Sequence, residues 1–282
     1  MDKQAKFCAK LFFVITFVTI CISGVYARQV ELFEPPRLFN VPVADNLKSF
    51  DINASGAGIL GADQFSFLGT GYLGLGHIAQ IEISPVKILR KLDKGETELI
   101  GIPAAGIKIS IPGEQVSWIL PNVSVSFRRT FSREEQKDSI TYKRELADLY
   151  VMASKTLISF KGWRGIRLHG GADYIGASLT GSKMPGETLE KFLPFGGIEI
   201  WATQKAKLMG EFEWVANFNE ENTPKLEDEP VWMAIVGARI FLTRFLTTDI
   251  GVRYQENFKT IADAKIEARV SISIPTHLVY EF

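Results

Sequence analysis

Apolar and polar positions alternate with a period of two along most of this chain, and the pattern is cleanest at its end. From Ala264 to Phe282 one row holds Ala264, Ile266, Ala268, Val270, Ile272 and Ile274, and Lys265, Glu267, Arg269, Ser271 and Ser273 fall between them. Successive side chains of a strand point to opposite faces, so this spacing predicts a strand whose two faces meet different surroundings. Strands in globular proteins usually run about 5–6 residues. A strand this long belongs to a larger sheet.

The same reading predicts strands over residues 46–60, 64–75, 77–86, 98–111, 115–129, 146–160, 163–178, 194–202, 205–218, 231–242 and 246–255. Helical patterning is absent from these segments. The connections sort by parity. After even-numbered strands they are brief, as at Lys161-Gly162 and Thr203-Gln204; after odd-numbered ones they lengthen, at 87–97, 130–145, 179–193, 219–230 and 256–263, with 61–63 the exception. Short turns at one end and longer loops at the other are the layout of a transmembrane barrel with periplasmic turns and external loops. The expected fold is therefore all-β, an antiparallel transmembrane β-barrel of about twelve strands.

The closing strand ends on Leu278, Tyr280 and Phe282, and this apolar row with a terminal aromatic resembles the last strand of bacterial outer-membrane β-barrels. The resemblance implies a protein of the bacterial outer membrane, in contact with its lipids and lipopolysaccharide. It also implies that these three residues form the signal read by the barrel-insertion machinery. It covers most of the chain but is architectural, and no short motif singles out one family.

The N-terminus points the same way. Lys3, Lys6 and Lys10 precede an apolar run from Leu11 to Ile22, and Val25-Tyr26-Ala27 supplies a small-x-small cleavage pattern. These features predict a signal peptide over residues 1–27, removed after Ala27. An extended leader with Pro35, Pro36 and Pro42 is expected over 28–45, and the barrel over 46–282. Cys8 and Cys21 both lie in the removed segment, so no disulfide or thiolate site is expected in the mature chain. The 32 basic and 32 acidic residues balance, and losing three Lys and one Asp with the signal peptide leaves a slight acidic excess. That balance argues against a nucleic-acid partner. No later segment reaches the roughly 20 apolar residues of a membrane helix. A membrane crossing would then require a closed barrel, because open sheet edges are unsatisfied in lipid.

Polar positions opposite the apolar rows are the expected lumen lining. They are Lys108, Arg167, His169, Asp173, Lys205, Lys207, Glu211, Glu213, Arg239, Asp249, Arg253, Lys265, Glu267 and Arg269. Both signs of charge can line a wet pore or pair across it and close it. The expected function is a narrow porin-like channel for small solutes, or a plugged structural barrel. Two alternatives are an outer-membrane lipid hydrolase, which would need a Ser–His pair, and a soluble secreted β-protein. No cofactor or metal is expected: His77, His169 and His277 are scattered. Gly69-x-Gly71-x-x-Gly74 matches a dinucleotide fingerprint only as a string, because it lies within a strand pattern. Such glycines would instead let the first strands bend, or let an inserted segment come close.

Overall fold

The computed structural model describes residues 32–60, 65–76, 78–91, 97–131, 133–137, 140–160, 163–181, 184–219 and 225–276. Its strands are β1 (Ile52–Leu60), β2 (Phe65–Gly74), β3 (Ala79–Lys91), β4 (Thr97–Ile111), β5 (Asn122–Thr130), β6 (Arg133–Lys137) and β7 (Ile140–Phe160). They continue as β8 (Trp163–Gly181), β9 (Met184–Trp201), β10 (Ala206–Asn219), β11 (Lys225–Phe241), β12 (Leu246–Gln255) and β13 (Lys265–Ile274). Chain neighbours pair antiparallel except β5 with β6, and β1 pairs with β13, from Ile52 opposite Ile274 to Leu60 opposite Ile266. β5 and β6 both pair with β7 and together form one stave. The result is a closed twelve-stave antiparallel barrel.

Its polarity is inverted relative to a soluble sandwich. Along β13 the buried residues are Glu267, Arg269, Ser271 and Ser273, while Val270, Ile272 and Ile274 are about half exposed. β12 likewise buries Thr247, Asp249, Arg253 and Gln255. Ile81, Ile83, Ile107, Ile109, Val125, Phe127, Leu149 and Val151 continue the exposed apolar surface on the opposite wall. Charge inside and hydrocarbon outside is the arrangement that a lipid surround stabilises.

Several boundaries differ from the sequence pattern for identifiable reasons. Residues 46–51 are not strand: β1 starts at Ile52, after a turn in which Phe50 takes a left-handed φ of 62°. Residues 113–121 form a one-turn helix α1 (Gly113–Val116) and a turn, so β5 starts at Asn122 rather than at 115. The external connections are largely continuations of the strands themselves. β8 runs on to Gly181 and β9 begins at Met184, with paired register through the segment expected to be loop. Leu278, Tyr280 and Phe282 lie outside the described residues, as do His77 and His277.

The outer half of the barrel is not a simple ring. β3 pairs with β2 only as far as Ile83 opposite Gly71, and β10 pairs with β9 only as far as Glu213 opposite Phe195. Beyond those points both strands turn inward and pair with each other in parallel, from Ile88 opposite Ala216 to Lys91 opposite Asn219. β4 then abuts β2, where Ser66 donates to Glu98 at 3.0 Å, and β11 abuts β9, where the Leu226 amide donates to Glu187 at 2.9 Å.

Candidate functional site: the filled lumen

The inward turn of β3 and β10 divides the outer lumen into two apolar compartments. One packs Val86, Ile88, Tyr142, Leu146, Leu193 and Phe218; the other packs Ala57, Ile59, Leu68, Leu89, Leu99 and Met233. Ile88 and Leu89 are adjacent in sequence and so face opposite compartments. A strand buried on both faces reads as a continuous apolar run rather than an alternation. Only the adjacent pair Ile88-Leu89 has that character, between Lys87 and Arg90, so residues 87–91 carried little signal that they were not a loop.

The inner half holds the leader. Leu38, Phe39, Val41 and Ala44 have no accessible surface or almost none, and Leu38, Phe39 and Val41 pack with Met209 and Ile235 of the wall. The segment is not extended as expected but turns back on itself, with the Leu38 amide donating to the Val41 carbonyl at 2.8 Å and the Val43 amide to the Pro36 carbonyl at 3.3 Å, and its remaining polar groups bind wall side chains. Glu211 accepts the Asn40 amide at 2.8 Å and the Val41 amide at 3.0 Å. Arg239 donates to the Arg37 carbonyl at 2.9 Å and Arg269 to the Leu38 carbonyl at 2.8 Å. Lys108 donates to the carbonyls of Val43 and Asp45, at 3.1 and 2.7 Å. Arg37 reaches Tyr72 Oη at 3.1 Å, and the Leu47 amide reaches Gln80 at 3.1 Å.

Wall residues are in turn fixed by one another. Arg239 makes a two-pronged pair with Asp249, at 2.7 and 2.8 Å, and neither side chain has accessible surface. Such planar, paired bonds are among the stronger polar contacts in proteins. Arg269 contacts Glu267 at 3.3 Å, and Lys87 binds Glu213 at 2.6 Å. Lys207 bridges Glu199, at 2.6 Å, to Glu34 of the leader. Arg167 holds Asp45, which also accepts from Asn122 at 2.6 Å. Burial pushes the Asp45 carboxyl up, but the Arg167 guanidinium, with its hydrogen bond and that of Asn122, outweighs this and holds it below the usual carboxylate range.

The expected lumen residues therefore have specific places. Lys108, Lys207, Arg239, Asp249, Arg253 and Glu267 are fully enclosed, and His169, Glu211, Glu213 and Arg269 are buried. Arg167, Asp173 and Lys265 are half-buried, with Lys265 at the outer mouth donating to the Thr97 carbonyl at 3.3 Å. Lys205 is a correction. It lies in the exposed turn before β10, because that strand starts one residue later at Ala206. Arg128, on the polar row of the strand pattern over 115–129, pairs with Asp148, whereas Glu82, which accepts from Tyr150 at 2.5 Å and Ser126 at 2.9 Å, was not singled out by the sequence reading. Between leader and outer compartments a chamber of about 50 Å³ remains, bordered by Arg37, Arg128, Asp148, Asp173 and Glu213.

A Ser–His pair does exist inside. Ser154 Oγ lies 2.8 Å from His169 Nδ1 and accepts the Ala44 amide at 2.9 Å. Glu199 lies 3.8 Å from His169 Nε2, beyond hydrogen-bond range. The serine has no accessible surface and faces the leader rather than the lipid. Of the glycines in the string Gly69-x-Gly71-x-x-Gly74, only Gly74 meets the leader: a Cβ there would sit 1.9 Å from the Lys48 carbonyl oxygen. Among the described residues no cluster of His, Cys, Asp or Glu is arranged to hold a metal ion.

No family model and no curated protein matches the sequence. Solved structures similar in shape include the translocator domain of autotransporter NalP from Neisseria meningitidis, at 10% identity and a TM-score of 0.44, covering 81% of this chain and 88% of that one. The NanC porin is 9% identical, with a TM-score of 0.46 and coverages of 79% and 98%. Outer-membrane expressed OmpT of Vibrio cholerae is 7% identical, with a TM-score of 0.43 and coverages of 79% and 97%.

Proposed function

We propose that this protein is a bacterial outer-membrane barrel of the plugged, structural kind, whose lumen serves as its core rather than as a resting pore. The observation that carries this reading is the double filling of the lumen. The leader occupies the inner half through wall-to-backbone bonds at Glu211, Arg239, Arg269 and Lys108. The β3–β10 seam and its apolar flanks occupy the outer half. Passage of even a small solute would require both to move.

The signal peptide pattern, the exposed apolar wall and the row ending at Phe282 support an outer-membrane location. Leu278, Tyr280 and Phe282 would then be read by the insertion machinery, and the wall would meet membrane lipid. The protein is not an enzyme in this reading: Ser154 positions the leader by accepting the Ala44 amide, and a lipid substrate would have to pass through the barrel wall to reach it. The test is ion conductance of the intact, membrane-inserted protein in planar bilayers. A sealed barrel gives no steady current. A persistent ohmic channel from the intact chain would overturn the proposal.

A further inference from the structure

The inward turn of β3 and β10 leaves two wall strands with one edge unladdered. β2 pairs with β1 from Phe65 opposite Leu60 to Leu73 opposite Ile52, but with β3 only over residues 71–74. β9 pairs with β8 from Met184 onward, but with β10 only over residues 195–201. Among the described residues, 65–70 of β2 and 184–194 of β9 therefore have no ladder partner on one side. Phe67 and Phe192 project from these stretches into the exposed apolar surface. Lipid there offers no water to unpaired backbone groups.

β10 keeps the pattern of a wall strand beyond the point where it leaves the wall. Trp214, Ala216 and Phe218 continue the outward row of Leu208 and Phe212, and Asn217 and Asn219 continue the inward row of Glu211 and Glu213. In the divided lumen Ala216 and Phe218 are instead buried in one compartment, and Asn217 Oδ1 is enclosed with no hydrogen-bond partner. An enclosed acceptor left unmatched is destabilising. A strand made only for burial on both faces would be apolar throughout.

The register that would return both strands to the wall is already set. Continuing the pairing of Gly71 with Ile83 brings Phe67 opposite Lys87 and Ser66 opposite Ile88. Continuing that of Phe195 with Glu213 brings Phe192 opposite Ala216. β3 stays paired with β4, and β10 with β11, out to their last residues, so the movement is a swing about an existing ladder. Where the two strands meet, Lys87 binds Glu213 at 2.6 Å, a contact that requires them to face each other. Return would break it, turn Lys87 to the outward row and open both apolar clusters. Those costs keep the divided form at rest.

We propose that β3 and β10 form a latched gate with two states. Paired with each other they divide the outer lumen; returned to β2 and β9 they leave an undivided ring, and Lys87–Glu213 is the latch. The inference rests on the sealed resting barrel proposed above and adds a second state to it. The experiment uses the chain from Arg28 onward in vesicles, which lacks Cys8 and Cys21, with three introduced cysteine pairs. Ile88→Cys with Ala216→Cys joins ladder partners of the divided form. Phe192→Cys with Ala216→Cys joins partners of the undivided ring, where neighbouring Cα atoms fall within the roughly 4.4–6.8 Å a disulfide spans. In the divided form Phe192 lies on the outer surface and Ala216 inside. Phe67→Cys with Ala216→Cys is brought together by neither state.

Under mild oxidation the first pair should close rapidly. The second should close more slowly, yet at least tenfold faster than the third, and adding Glu213→Gln should speed it at least threefold. A second pair that closes no faster than the third, or at a rate indifferent to Glu213→Gln, would overturn the latched gate and leave the sealed barrel standing. Steady current from the intact chain in planar bilayers would instead overturn the sealed state on which the gate rests.

Discussion

Ile88 of β3 and Ala216 of β10 are partners in a parallel ladder, although five staves separate their strands in either direction around the ring. Opposite walls of the barrel are thus joined through its centre. The join is four residues long, and apolar clusters flank it on both sides. Its stability comes from burial, at about 25 cal/mol per Å² of apolar surface removed from water, more than from the few ladder bonds.

Two seals in series give a specific expectation. Deleting residues 32–51 empties the inner half but leaves the seam, so that variant should insert and still conduct nothing. Adding Ile88→Asp places a charge between packed apolar side chains and should part the seam. Single-channel recording then separates the cases: current only in the combined variant supports two seals, and current from the deletion alone would mean the seam does not close the lumen.

The Arg239–Asp249 pair supports a second expectation. Both side chains are fully enclosed, so removing one partner strands a charge away from water, typically at a cost of about 3–5 kcal/mol. Arg239 also holds the Arg37 carbonyl, so the leader should loosen too. Asp249→Ala should lower the urea midpoint of the vesicle-inserted barrel markedly. The double variant Arg239→Met with Asp249→Leu should recover most of the loss. Additive damage in the double variant would show that the pair is not the coupled unit described.

How legible this was in the sequence depended on the environment of each stretch. β12 and β13 face lipid on one side and charge on the other, so alternation gave the facing of both and the extent of β12. The unbroken strand expected from Ala264 to Phe282 instead ends at Ile274, with Pro275 and Thr276 outside it and 277–282 outside the described residues. β3 was cut short because Ile88 and Leu89, near its end, are packed in apolar clusters on opposite faces. Period-two reasoning has no contrast to follow at Ile88-Leu89. The inward polar residues were identifiable by type, but their partners were not: nothing in the chain's order says that Glu211 meets Asn40 or that Ser154 meets Ala44. Those contacts depend on a proline-bearing segment folding back into the ring, a long-range event with no local signature. Lys205 was misplaced for the opposite reason, since a turn residue next to a strand fits the alternating pattern as well as the strand does.

The facing of β13 can be tested on adjacent residues. Val270 is half exposed on the wall, and an Arg near the bilayer midplane there costs about 2–4 kcal/mol. Ser271 is buried between Arg269 and Ser273, which bond the Leu38 and Phe33 carbonyls of the leader, so an added Arg there lacks the room a wet pore would give. Val270→Arg and Ser271→Arg should both impair folding into bilayers, whereas Val270→Leu and Ser271→Ala should fold nearly as wild type. Free tolerance of Ser271→Arg would mean that this part of the lumen is empty and hydrated.

Asp45 links leader docking to pH. Its carboxyl is held below the usual range by Arg167 and Asn122 against the opposing effect of burial. A group with a depressed folded-state value contributes its full stabilisation above its unfolded value, about 3.9, and loses it as pH falls through the folded value. Leader docking should therefore be insensitive to pH near neutrality and weaken only in acid below about pH 4. Pepsin, active in that range, reports the change by cleaving next to Phe39 once the leader swings out. The ratio of wild-type to Asp45→Asn cleavage cancels the protease's own pH dependence. It should be well below one at about pH 5 and approach one at about pH 2. A ratio constant across that range would mean that Asp45 does not hold the leader, and docking would then rest on Glu211, Arg239 and Lys108 alone.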